Sequence, residues 1–181
     1  MWKEDTLKLI AINEPIINEF VDVFKNLYTN GDVIVSCFEV NNHQVFQELP
    51  WWDPDKYNTY IKSLLTSTDI INAIPELNIS RKIENNMELK DINSLILDGE
   101  FAIKIMKGGA YLKFKGSPQE AKRLGGEFCK CLFQDRFLDI HVFYSDNSWT
   151  RWFYDVHWDS TWIIFDGKEN KLWLICMTDT D

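Results

Sequence analysis

Two short segments near the C-terminus, WIIF at 162–165 and LWLICM at 172–177, are apolar at every position. A β-strand sends successive side chains to opposite faces, so a strand apolar throughout is stable only when both faces are covered. The linker between them, DGKEN at 166–170, has the composition of a tight turn, which makes the two strands antiparallel neighbours. The chain must therefore build a sheet whose central strands lie between other layers.

The segments before these extend the pattern. Aromatic-rich runs at 137–144 and 149–156, separated by SDNS and followed by HWDS, give an expected C-terminal meander of four strands: 137–144, 149–156, 161–166 and 171–178. DVIVSCFEV at 32–40 adds an earlier strand. Helices account for the covering layers. Asn13-Glu14-Pro15 opens one that carries Ile16, Ile17, Phe20, Val23, Phe24, Leu27 and Tyr28 at helical spacing, with Asn30-Gly31 as its stop. Asp53-Pro54 opens a second, and Thr68 caps a short third before Pro75. Ser117-Pro118-Gln119-Glu120 reads as a capping box ahead of the stripe Ala121, Leu124, Phe128 and Leu132. Gly125-Gly126 inside that helix costs about 1 kcal/mol per glycine relative to alanine, so either a neighbour packs closely there or the helix breaks.

Two segments give weaker patterns. EFAIKIMK and AYLKFK flank Gly108-Gly109 and read as a hairpin, with Phe101, Ile103 and Ile105 on one face and Lys104 on the other. Residues 76–99 are polar with scattered apolar positions, and suit a long loop with a strand near 94–97 or a junction between two lobes. The fold class expected is α+β: a mostly antiparallel sheet ending in the meander, helices packed on it, in one domain over residues 1–181.

Composition narrows the function classes. The formal net charge is −9, which disfavours binding to phosphate backbones and to anionic membranes. The sign is uneven: residues 101–130 hold seven Lys or Arg against Glu120 and Glu127. Neither GxxxxGK[ST] nor GxGxxG occurs, and no G-x-S-x-G marks a serine nucleophile. Cys37, Cys129, Cys131 and Cys176 form no CxxC pair and are expected to be reduced, apolar core residues of a cytoplasmic protein, with no cofactor. MWKEDTLKLIAINEP carries charges at Lys3, Glu4, Asp5 and Lys8 and has no leader-like apolar run. His43, in NNHQ, reads as a loop residue.

One constellation suggests chemistry. If a three-residue turn joins strands 137–144 and 149–156, Asp139 faces Asp155, and His141 and His157 share their side of the sheet. Imidazole and carboxylate together suit zinc, manganese or iron, and Asp159 lies close in sequence. An aspartate-oriented histidine would alternatively serve as a general base. The competing reading is a solvated outer face with these groups paired to Arg136, Arg151 or each other.

Tryptophan placement points elsewhere. Trp162 and Trp173 belong to the central strands and read as core, whereas Trp149, Trp158 and the Trp51-Trp52 pair stand at turns or element ends, where amphipathic aromatics serve recognition. Of the adjacent pair, one indole is expected inside and one outside. Three function classes follow. The first is an acidic protein-binding module, in size and charge like bacterial immunity or inhibitor proteins that neutralise a basic partner, with Trp51, Trp52, Trp149, Trp158, Asp155 and Asp159 as candidate contacts. A Lys-, Asn- and Ile-rich composition fits an AT-rich bacterial genome. The second is a metal-dependent enzyme using Asp139, His141, Asp155 and His157. The third is a small-ligand binder in which Lys104, Lys113 or Arg123 holds an anionic group.

Overall fold

A computed structural model describes residues 6–42, 44–83 and 87–181; His43 and the first five residues lie outside the described residues. Six strands make one antiparallel sheet: β1 (Leu7–Ile10), β2 (Asp32–Val40), β3 (Lys90–Ile92), β4 (Ile140–Ser145), β5 (Ser160–Asp166) and β6 (Lys171–Thr178), in the spatial order β1-β2-β6-β5-β4-β3. The all-apolar segments are β5 and β6, and they occupy the two middle positions. Every residue of β5 is buried.

Helices cover both faces, as such strands require. On one face lie α1 (Pro15–Leu27), α5 (Leu97–Lys107) and α6 (Pro118–Phe133), packed over Val142, Trp162, Ile164, Trp173 and Ile175. The residues alternating with these, Phe143, Ile163, Phe165, Leu172 and Leu174, meet α3 (Pro54–Leu65), α4 (Thr68–Ala73) and the short α2 (Gln44–Gln47) on the other face. Period-2 alternation along β5 and β6 thus feeds two separate cores. The first is aromatic: Phe20 stacks on Phe128 with centroids 3.7 Å apart, and Phe101 stands edge-on to Phe128 at 5.1 Å and tilted against Trp162 at 5.0 Å.

α6 begins at the capping box read from the sequence: Glu120 N–H donates to Ser117 Oγ, and the Ser117 N–H donates to Glu120 Oε2 at 2.5 Å. Its Gly125 is where a neighbour comes close. A Cβ there would stand 2.4 Å from the Asp98 carbonyl oxygen of α5, whereas one on Gly126 would meet nothing within 4 Å. α1 starts from Glu14 without a side-chain cap, and α4 is capped by Ser67 rather than Thr68.

Three sequence expectations are corrected. The segment 101–106 is not a hairpin strand but the body of α5: its buried residues are Leu97, Phe101, Ala102 and Ile105, a helical spacing that emerges once Leu97 is included, and Ile103 is exposed. Asp98 and Glu100 in its first turn and Lys104 and Lys107 in its last suit the helix dipole. The segment 149–156 is not a strand either. Trp149 and Phe153, four residues apart, both insert into the second core, and Asp155 has a left-handed φ of 61°. Within 76–99 the strand is β3 at 90–92, and Ser94–Ile96 forms a single 3-10 turn leading into α5. Three of the four expected C-terminal strands remain as β4, β5 and β6, with β3 alongside β4. Among the described residues no helix is long and apolar enough to cross a membrane.

Candidate functional site

Two regions collect the polar and aromatic groups that the core does not absorb. The first lies where β5 begins and β6 ends. Asp159, with no exposure, accepts from Thr178 Oγ1 at 2.5 Å and from the Val156 N–H at 3.1 Å, which closes the turn into β5. Asp179, equally buried, accepts from the Asn30 N–H at 3.0 Å and the Ala110 N–H at 2.8 Å. One carboxylate thereby ties the end of β6 to the loops after α1 and α5. The chain packs so closely here that a Cβ on Gly109 would stand 2.2 Å from the Leu27 carbonyl oxygen.

Beside these carboxylates, the Lys104 ammonium donates to Ser160 Oγ, and Ser160 in turn donates to the Asp159 carbonyl at 2.6 Å. The Tyr144 hydroxyl is 3.5 Å from the same Ser160 oxygen. Lys104 Nζ lies 5.8 Å from the Trp162 ring centroid. Burial pushes the Lys104 pKa down to about 8, assisted by Lys107 and opposed by Asp146, Glu100 and Asp159. Burial likewise raises the Tyr144 pKa above its ordinary value, so this phenol stays protonated at neutral pH.

The second region is a surface. Leu49 turns inward and is 1% exposed, while Trp51 and Trp52 are 48% and 66% exposed. The turn is held by Trp51 N–H donating to the Leu49 carbonyl and Asp53 N–H to that of Pro50. Asp53 then caps α3 by accepting from the Lys56 N–H. The two indoles meet edge to face, centroids 5.7 Å apart, and Trp51 stacks on His141 of β4 at 5.5 Å and 21°. Expecting one of the pair to be core is corrected: Leu49 takes the inward position, and both indoles stay out. Two open depressions, of about 450 and 630 Å³, run along α3 from Pro50 and share Asp55 and Thr59; the larger also reaches Glu88.

Compared with models of known families, with curated proteins and with solved structures, the chain matches none.

The D-x-H constellation is dispersed. β4 pairs with β5, which sets His141 opposite Phe165, and with 149–156 in a loop no partner strand brings Asp155 to Asp139. Asp139 pairs instead with Lys168 at 2.6 Å, Asp155 is exposed, and His157 rests against Trp158 with centroids 6.0 Å apart. Burial lowers the His141 pKa, with Asp91 opposing. Among the described residues no three His, Cys, Asp or Glu side chains are grouped to hold a metal.

Of the remaining candidates, Trp149 is buried and donates its indole N–H to Thr161 Oγ1 at 2.9 Å, so it is an internal anchor rather than a surface contact. Trp158 is half-buried against the first core, and Asp159 is internal. The basic stretch is largely engaged: Lys122 pairs with Asp98, Arg123 with Glu19 and Glu127, and Lys113 donates to the carbonyls of Lys107 and Gly109. The sequence reading passed over Tyr144, Ser160 and Asp179. A usable signal existed for the last two, since polar residues at both ends of otherwise apolar strands mark where a sheet must satisfy buried donors.

Proposed function

We propose that this chain is a protein-binding module that engages a basic partner through the platform of Trp51, Trp52 and His141. The observation that carries the reading is the pair of adjacent indoles, both about half or more exposed, held by a hydrogen-bonded turn and backed by an imidazole. Burying either ring in the chain's own core would have been favourable, and large aromatic rings that stay outside are the side chains that dominate binding energy at interfaces. Asp55 and Glu88 line the adjoining depressions together with Lys56, Lys62 and Lys90, so the preference for a basic partner rests on the charge of the whole chain. The overall charge of −9 steers cationic partners toward the surface and supports an inhibitor-type role, in which the module covers a basic functional surface.

The test is affinity capture from the cells that make the protein, with wild-type and Trp51→Ala/Trp52→Ala baits at two salt concentrations. The expected result is one basic protein held at one-to-one stoichiometry by the wild type, weakened by salt and lost with the double variant. Equal retention by the double variant, or an acidic partner, would contradict the proposal.

A further inference from the structure

The cluster at the head of β5 contains an arrangement that scaffolding does not require. Asp159 and Asp179 are satisfied by Thr178 and by backbone N–H groups, without Lys104. Lys104 nonetheless reaches from the last turn of α5 to Ser160, its ammonium bound to an uncharged hydroxyl and lying beside the Trp162 ring. An amine so placed is easily made neutral, and its half-buried position leaves part of it accessible. Trp162 adds a second observation: its indole N–H is buried with no hydrogen-bond partner among the described residues.

We infer that Lys104 is a nucleophilic amine that forms an imine with a small neutral aldehyde or ketone, with Tyr144 as the proton donor and Ser160 as the hydroxyl that positions the amine. In its neutral form, Nζ attacks the carbonyl carbon and a C–N bond forms. The tetrahedral oxygen takes one proton from the Tyr144 hydroxyl and one from Nζ and leaves as water, and the second Nζ proton returns to Tyr144. Nζ gives up its protons, so that one carbonyl compound and one amine yield one imine and one water. No oxidant or metal is needed.

The charges around the amine select the substrate class. Among the described residues, Glu100 of the same helix, Asp146 after β4 and Asp159 before β5 place negative charge near Lys104, with Lys107 as the opposing cation, and Tyr144 of β4 is protonated. A carboxylate-bearing substrate would be repelled, whereas a neutral hydroxyaldehyde would find hydroxyl partners. Proton loss near pH 8 supplies the reactive form, and a group of that pKa has a sizeable neutral fraction at physiological pH.

The experiment uses the full chain with glycolaldehyde as the neutral probe and pyruvate as the anionic one, trapped with borohydride and mapped by peptide mass spectrometry. The expected result is one dominant glycolaldehyde adduct, on Lys104, with a rate that rises through about pH 8. Lys104→Arg, which keeps the charge and the donor to Ser160, should lose the adduct while melting like the wild type. Tyr144→Phe should keep the adduct position but slow trapping on the order of a hundredfold. Adducts spread over exposed lysines such as Lys56 and Lys130 in proportion to exposure would overturn the inference. Stronger labelling of Lys104 by pyruvate than by glycolaldehyde would overturn the substrate class.

Discussion

Asp159 and Asp179 at the head of β5 are sealed inside the fold, whereas the Trp51–Trp52 turn is open. At the sealed end every carboxylate oxygen of Asp159 and Asp179 has a donor supplied by the chain, and removing a group there leaves partners stranded. At the open turn the ring contacts of the indoles among the described residues are with each other and with His141, and their outer faces meet solvent. A buried polar group is paired because leaving it unpaired costs about 1–3 kcal/mol. An exposed aromatic ring carries no such penalty and can be kept for a partner. Substitutions should therefore separate the two regions: stability responds at the first, recognition at the second.

The largest effect is expected at the sealed end. Asp179→Ala strands the N–H groups of Asn30 and Ala110 and should lower unfolding free energy by about 4 kcal/mol in a urea titration. A loss under about 1 kcal/mol would show that water reaches these donors and that the region is open too. Next comes the platform: Trp51→Ala and Trp52→Ala should each change stability by less than about 0.5 kcal/mol, and each should weaken partner binding by about 2 kcal/mol or more in calorimetry. A stability loss comparable with that of Asp179→Ala would make the indoles structural.

A smaller version of the contrast sits within α6. Gly125→Ala drives a Cβ into the Asp98 carbonyl and should cost about 2 kcal/mol, while Gly126→Ala, facing open space, should gain up to about 1 kcal/mol from helix propensity. Equal effects in thermal melts would mean that α5 and α6 are not in close contact. The subtlest test is His141. Its lowered pKa means the folded protein binds fewer protons than the unfolded chain between that value and about 6.5, so its contribution is present above 6.5 and lost as pH falls through the lowered pKa. Removing the covering ring in Trp51→Ala should raise the pKa toward 6.5 in an NMR titration; no movement would place the burial elsewhere.

The sheet was legible from β5 and β6 because all-apolar strands admit one arrangement, central and covered twice. α6 was equally legible from Ser117 and Glu120. What misled was local alternation without its flanks. Phe101, Ile103 and Ile105 alternate like a strand, but Leu97 and Ala102 complete a helical stripe, and packing against α6 at Gly125 decides the matter. Trp149 to Val156 also alternates, yet Trp149 and Phe153 are pulled into one core four residues apart. The Asp-His grouping depended on that strand and dissolved with it. The cluster at the head of β5 was illegible for another reason: Lys104, Tyr144, Ser160 and Asp179 come from different elements, and the fold alone brings them together.

The most direct test of the platform is oxidative footprinting of tryptophan in the free chain and in its isolated complex. The account predicts that Trp51 and Trp52 are the most strongly oxidised of the described indoles in the free chain and lose that reactivity on binding, while Trp149 and Trp162 stay unreactive in both. Unchanged oxidation of Trp51 and Trp52 in a complex that protects some other surface would contradict it.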